Sequence, residues 1–191
     1  MMNNEPTADS RLSTTGLRLG IVFAAVILTP LLAVPGSGFP VPALQAQETG
    51  LPIGSKAPAS TMVETLDGKA FDIGQYVGKT PVLIEFWATW CPNCKQLEPA
   101  MDAAAKKYAG KIKLVAVAVS INQSPTRVKL HVEKHGMPME VYYDKQGNAA
   151  DAYDAAATSY IIVLDKAGTV VYTGLGGTQN IDASIRKAVG G

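Results

Sequence analysis

Cysteine and histidine are scarce in this chain of 191 residues, with two of each: Cys91 and Cys94, His131 and His135. Two cysteines cannot build a disulfide framework. A pair separated only by Pro92 and Asn93 is also a poor staple, because a staple gains by closing a long loop. Charge bias is missing as well. The 17 basic and 16 acidic residues leave a formal net charge of +1, and no basic stripe with interleaved aromatics occurs, which argues against a nucleic-acid partner. No internal repeat or low-complexity segment is present. These absences leave an ordinary globular domain with an appendage.

One local absence is informative. No charged residue lies between Arg18 and Glu48. Arg11 and Arg18 precede an apolar run from Leu19 to Val34, followed by a stretch rich in Pro, Gly, Ala and Gln. That is the layout of a secretory leader, with a candidate cleavage point after Ala46 where Leu44 is an imperfect match. The run is shorter than the ~20 residues that span a bilayer comfortably. Residues 1–50 are therefore expected to be a signal peptide or a retained membrane anchor plus linker. Either way, the two arginines stay cytoplasmic and the rest faces outward, in the periplasm or on the outer face of the membrane.

Residues 51–191 suffice for one domain with its own core. Ile53 to Pro58 has no periodicity and is expected to lie across the surface. Thr61–Leu66 and Ala70–Ile73 read as short strands around the hairpin dipeptide Asp67-Gly68. Val82–Trp87 (VLIEFW) is a continuously apolar strand, expected to be covered on both faces, with Glu85 as its one exception. From Cys94 the period becomes helical: Cys94, Leu97, Met101, Ala104 or Ala105, and Tyr108 share a face, with a kink expected at Pro99 and an end at Gly110. Ile112–Val119 is a second buried strand. Ser124-Pro125 opens a helix that stops at Gly136. Glu140–Tyr143 reads as a strand and Asn148–Tyr153 as a short helix. Tyr160–Leu164 and Thr169–Tyr172 form a hairpin around Asp165–Gly168, and Ile181–Val189 a last helix. This order, βαβαβαββα behind a hairpin, predicts an α/β fold with a mixed sheet between helices.

A CxxC pair suits either thiol–disulfide exchange or metal ligation. Outside the cytoplasm disulfides persist, and a zinc site built on one CxxC would lack two ligands. Cys91 precedes a helix whose unpaired amides and positive dipole end stabilise a thiolate. Pro92, lacking an N–H, suits the first turn. Cys94 falls one turn on, on the buried side, with its thiol sheltered. Cys91 is then the attacking sulfur and Cys94 the resolving one. Resolution needs a proton acceptor, and Glu85, an acid in an apolar strand with an expected raised pKa, is the candidate. The competing arrangement has Glu85 at the surface or paired with Lys95 or another lysine.

The residues FWATWCPNCK at Phe86–Lys95, LDGK at Leu66–Lys69, Tyr76 to Lys79, and IVLDKAG at Ile162–Gly168 resemble the thioredoxin superfamily. Within it, they are similar to the exported TlpA/ResA-like thiol–disulfide oxidoreductases. The resemblance covers essentially all of 51–191. It implies a thioredoxin-like fold with an N-terminal β-hairpin extension, the same two cysteine roles, and an acid at the Glu85 position. It also implies no cofactor beyond the redox-active Cys91–Cys94 disulfide. The partners it implies are protein thiols and disulfides, apocytochrome c among them, and a membrane thiol-reductant carrier. Substrate contacts are expected at Trp90, Pro92, Asn93, Thr158 and Ser159. Ser159 departs from the family, which carries a cis-proline there; a serine leaves the cis bond open and would offer a hydroxyl and an N–H facing the sulfurs.

His131 and His135 lie four apart on one helix, but HVEKH matches neither HExxH nor HxxEH, and Val128 and Val132 share their face. They are read as histidines at a packed edge, with no metal assigned. Trp87 and Trp90 are expected to wall the active site, and Gly174, Gly176 and Gly177 to form a turn near it. Two further uses of the same residues compete: Cu(I) binding by the two sulfurs in a metallochaperone, and peroxidase-like activity.

Overall fold

The computed structural model describes residues 50–190, so the leader lies outside the described residues. No helix among the described residues is long and apolar enough to cross a membrane. Seven strands form one sheet: β1 (Met62–Thr65), β2 (Ala70–Asp72), β3 (Val82–Trp87), β4 (Lys113–Val119), β5 (Glu140–Asp144), β6 (Tyr160–Leu164) and β7 (Val170–Gly174). Four α-helices among the described residues accompany them: α1 (Pro92–Lys107), α2 (Pro125–His135), α3 (Asn148–Ala152) and α4 (Ile181–Val189). The strand order is β2-β1-β5-β4-β3-β6-β7. The central strands β3, β4 and β5 are parallel, and the flanking pairs antiparallel.

Local chemistry sets the boundaries. All six residues of β3 are buried, because β4 and β6 flank it and helices cover both faces. Ser124 Oγ caps α2 by accepting from the Arg127 amide at 3.3 Å, Pro125 fills the first turn, and Gly136 ends the helix in the left-handed region at φ 61°. α1 continues through Pro99 and closes at Lys107, with Tyr108 as its C-cap. Asp165 Oδ1 accepts from the amides of Ala167 and Thr169 and tightens the β6–β7 turn. The Ile53–Pro58 segment is pinned to the sheet as well as lying over it. Gly54 donates to the Val170 carbonyl, and Lys56 forms a β-bridge with Thr169.

The pleat divides the core. Ile84 and Phe86 pack with Val128 of α2 and Ala149 of α3. Leu83 packs on the other face with Leu97, Met101 and Ala104 of α1 and Ile181 and Ile185 of α4. Side chains alternate along a strand, so Glu85 has the parity of Leu83 and belongs to the α1 face. β3 therefore delivers both the carboxyl under α1 and, past its end, the loop that starts α1.

Candidate active site

Cys91 is the N-cap of α1 and Cys94 lies in its first turn. The two sulfurs are joined in a disulfide, with Cα atoms 5.4 Å apart. The Cys91 sulfur also accepts a hydrogen bond from the Cys94 amide at 3.1 Å. This amide is one of the helix's unpaired N-terminal donors, so the first sulfur sits where a negative charge is best stabilised. The sequence predicts a sheltered Cys94; the structure buries both Cys91 and Cys94, at 5% and 6% exposure. Their asymmetry lies in what each faces. Both line an outer cleft of about 390 Å³. Only Cys94 also lines an inner cavity of about 40 Å³, shared with Glu85, Trp87, Glu98 and His135.

Glu85 is 3% exposed, between Ala116 of β4 and Ile161 of β6. It forms no ion pair or side-chain hydrogen bond among the described residues, so the Lys95 pairing is not made. Burial, and secondarily the Glu98 charge, push its carboxyl up to about 8. Glu85 therefore lines the inner cavity with Cys94 and is sparingly ionised at neutral pH.

The loop ahead of Cys91 is held by a residue that the sequence does not single out. Gln123 Oε1 accepts from the Thr89 amide at 2.9 Å, and its Nε2 donates to the Val119 carbonyl at 2.5 Å. Its own carbonyl accepts from Tyr143 Oη at 2.9 Å. Beside it, Trp90 Nε1 donates to the Ile121 carbonyl at 2.8 Å, which leaves an indole 42% exposed at the rim of the cleft. Trp87 and Trp90 wall that cleft, as the sequence suggests. Pro92 and Asn93 are exposed beside the disulfide.

Ser159 requires a correction. Every peptide bond among the described residues is trans, and Ser159 takes a left-handed φ of 65°, which a proline ring cannot adopt. It is fully buried. Its amide donates to the Phe86 carbonyl at 2.8 Å, its hydroxyl accepts from the Gly176 amide at 3.1 Å, and its carbonyl accepts from Gln179 Nε2 at 2.9 Å. The hydroxyl and N–H expected to face the sulfurs are both used internally. Through these three bonds Ser159 positions a loop. Thr158 is half-buried beside it, and neither residue lines the cleft or the inner cavity. The glycine turn lies where the sequence puts it: a Cβ on Gly177 would come within 3.0 Å of the Asn93 carbonyl.

Across the cleft, His131 rests on Trp87 with ring centroids 5.4 Å apart and stacks on His135 at 4.2 Å. Burial, then the neighbouring His135, hold His131 below the ordinary imidazole range. The sequence's packed-edge reading describes His131; His135 is exposed.

The Redoxin family model matches residues 52–189. The chain belongs to the Redoxin family. Among its relatives, the thioredoxin-like protein YneN of Bacillus subtilis is 34% identical over 125 residues, 65% of this chain and 72% of YneN. The thiol-disulfide oxidoreductase ResA of Bacillus cereus is 29% identical over 126 residues, 66% of this chain and 71% of ResA. The fold is that of a crystal structure assigned as thiol:disulfide interchange protein DsbE from Chlorobium tepidum. That match has a TM-score of 0.64 at 23% identity, over 73% of this chain and 99% of that one. The resemblance read from WCPNC thus holds: this Redoxin-family chain is a thioredoxin-like thiol–disulfide oxidoreductase.

Proposed function

We propose that this oxidoreductase is an exported reductase of protein disulfides, with Cys91 as nucleophile, Cys94 as resolving thiol and Glu85 as proton acceptor. The observation that carries the reading is the placement of Glu85 under Cys94 alone, while Cys91 takes the helix N-terminus.

The Cys91 thiolate attacks a sulfur of the substrate disulfide. That bond breaks, one substrate thiolate leaves and takes a proton, and a mixed disulfide remains. Cys94 then gives its proton to the Glu85 carboxylate and attacks the Cys91 sulfur. The second substrate thiolate leaves, two electrons have passed to the substrate, and Cys91–Cys94 is again a disulfide. A carboxyl near 8 suits both directions, accepting the proton here and returning it when the pair is re-reduced. The inner cavity has room for about one or two waters to carry protons outward.

Protein substrates fit the rim. Trp90 and Ile121 stand exposed on one side, and Leu175 on the glycine turn beside Asn93. Trp90, Pro92 and Asn93 are the substrate contacts we assign. A disulfide of apocytochrome c is one such substrate, and a membrane thiol-reductant carrier would return the electrons. Export rests on Arg11, Arg18 and the Leu19–Val34 run, which would act as signal or anchor. Equilibration of the pair against glutathione tests the direction of electron flow. A reductase is expected to have a potential below the glutathione couple, and a potential well above it would make the protein an oxidant.

A further inference from the structure

Three ligating side chains outside the thiol chemistry converge on the wall of the same cleft. Glu98 comes from the second turn of α1, and His131 and His135 come from α2. One ligand atom from each lies within 4.8 Å of the other two. We propose that Glu98, His131 and His135 form a binding site for a divalent transition-metal ion of the Zn²⁺ or Cu²⁺ class, beside the redox pair.

The argument rests on donor type and on placement. Two imidazoles and a carboxylate are a borderline donor set suited to Zn²⁺ and Cu²⁺ and poorly suited to Mg²⁺ or Ca²⁺. Histidines at i and i+4 project from one helix face, the spacing that lets two imidazoles reach one ion. Their rings already lie nearly parallel, 14° apart, and Trp87 backs His131. A tetrahedral ion with ligands at ~2.1 Å holds them about 3.4 Å apart, so closure needs rotamer-scale movement of Glu98 and the exposed His135. All three residues line the cleft that also contains Cys91 and Cys94, which leaves a fourth position open to solvent or to a substrate group. Lys95 and Lys134 line it too and oppose a cation, so the Glu98 charge is required to offset them. HVEKH fails the linear zinc motifs because Glu133 is one place off for each; the third ligand here is Glu98 of α1.

The oxidised protein isolates this site, since its sulfurs are tied up in the disulfide and cannot act as thiolates. The chain has only two histidines, so a long-range ¹H–¹⁵N imidazole spectrum is unambiguous. Titration of the oxidised protein with Zn²⁺ is expected to shift both imidazoles together and saturate at one ion per chain. His135→Ala, at an exposed position that does not test folding, and Glu98→Gln are each expected to weaken binding about tenfold or more. No saturable binding, or binding unaffected by His135→Ala, would overturn the proposal. So would a response from only one histidine.

Discussion

The sulfur of Cys91 accepts a hydrogen bond from the amide of Cys94 at 3.1 Å. Cys94 thus already supports the Cys91 sulfur through its backbone, three positions along the chain. Once the disulfide is reduced, that amide and the open end of α1 favour a thiolate on Cys91 over one on Cys94. Iodoacetamide at neutral pH is accordingly expected to alkylate Cys91 at least ~10-fold faster than Cys94 in the reduced protein. Peptide mapping of partly labelled protein measures this, and equal labelling would contradict the assigned roles.

Glu85→Gln removes the proton acceptor while keeping the shape. Turnover of insulin disulfides is expected to fall at least ~10-fold near pH 7, with the mixed disulfide persisting longer. An unchanged rate would leave Glu85 without a catalytic role.

The same carboxyl makes stability depend on pH. Its pKa is raised from 4.5 to about 8 in the folded chain. Between those values the native state holds a proton that the unfolded state has released, so stability falls as pH rises, with a limiting slope of ~1.4 kcal/mol per pH unit. Below about pH 4.5 the contribution is fully present, and above about 8 it is gone. Urea unfolding at pH 5, 7 and 9 is expected to show this decline in the wild type and a flatter profile in Glu85→Gln. Parallel profiles would show that Glu85 ionises normally.

Gln123 is a positioning residue for the loop that carries Trp90 and Cys91. Gln123→Ala leaves the Thr89 amide and Val119 carbonyl without their partner and is expected to cost about 1–3 kcal/mol. It should also raise KM for a protein substrate more than it lowers kcat, because it frees the rim and spares the sulfurs. A loss confined to kcat would place Gln123 in the chemistry instead.

Ser159→Pro introduces the residue that the family carries at this position. In this backbone a proline meets a φ of 65° and removes the amide bonded to the Phe86 carbonyl. The expected cost is about 2–4 kcal/mol. Unchanged stability in urea would mean that the segment re-forms around proline.

Much of this was open to reading in the sequence. VLIEFW is a strand from its first residue to its last because five apolar positions, interrupted only by Glu85, run between turn signals, and Ser124-Pro125 placed the start of α2 to the residue. Glu85 stood out because it is the one acid in that apolar run. Glu98 did not, being one of several charged residues on α1, with nothing local to rank it above Lys95 or Asp102. Its meeting with His131 and His135 depends on how α1 and α2 lie across the strand ends. The burial of Cys91 was equally hidden, since helical periodicity gives the inner face of α1 but not the fold of the tryptophan loop over its start. Ser159 could be located by counting back from Asp165. Its left-handed backbone could not, because the Phe86 and Gly176 hydrogen bonds that hold it come from other parts of the chain.

The central assignment, Cys91 as nucleophile and Cys94 as resolver, is tested most directly with two serine variants and insulin as substrate. Cys94→Ser is expected to accumulate a mixed disulfide through Cys91, visible as a thiol-sensitive mass adduct. Cys91→Ser is expected to form none and to lose insulin-disulfide reduction. If Cys91→Ser reduces insulin as the wild type does, or traps the adduct through Cys94, the account is wrong.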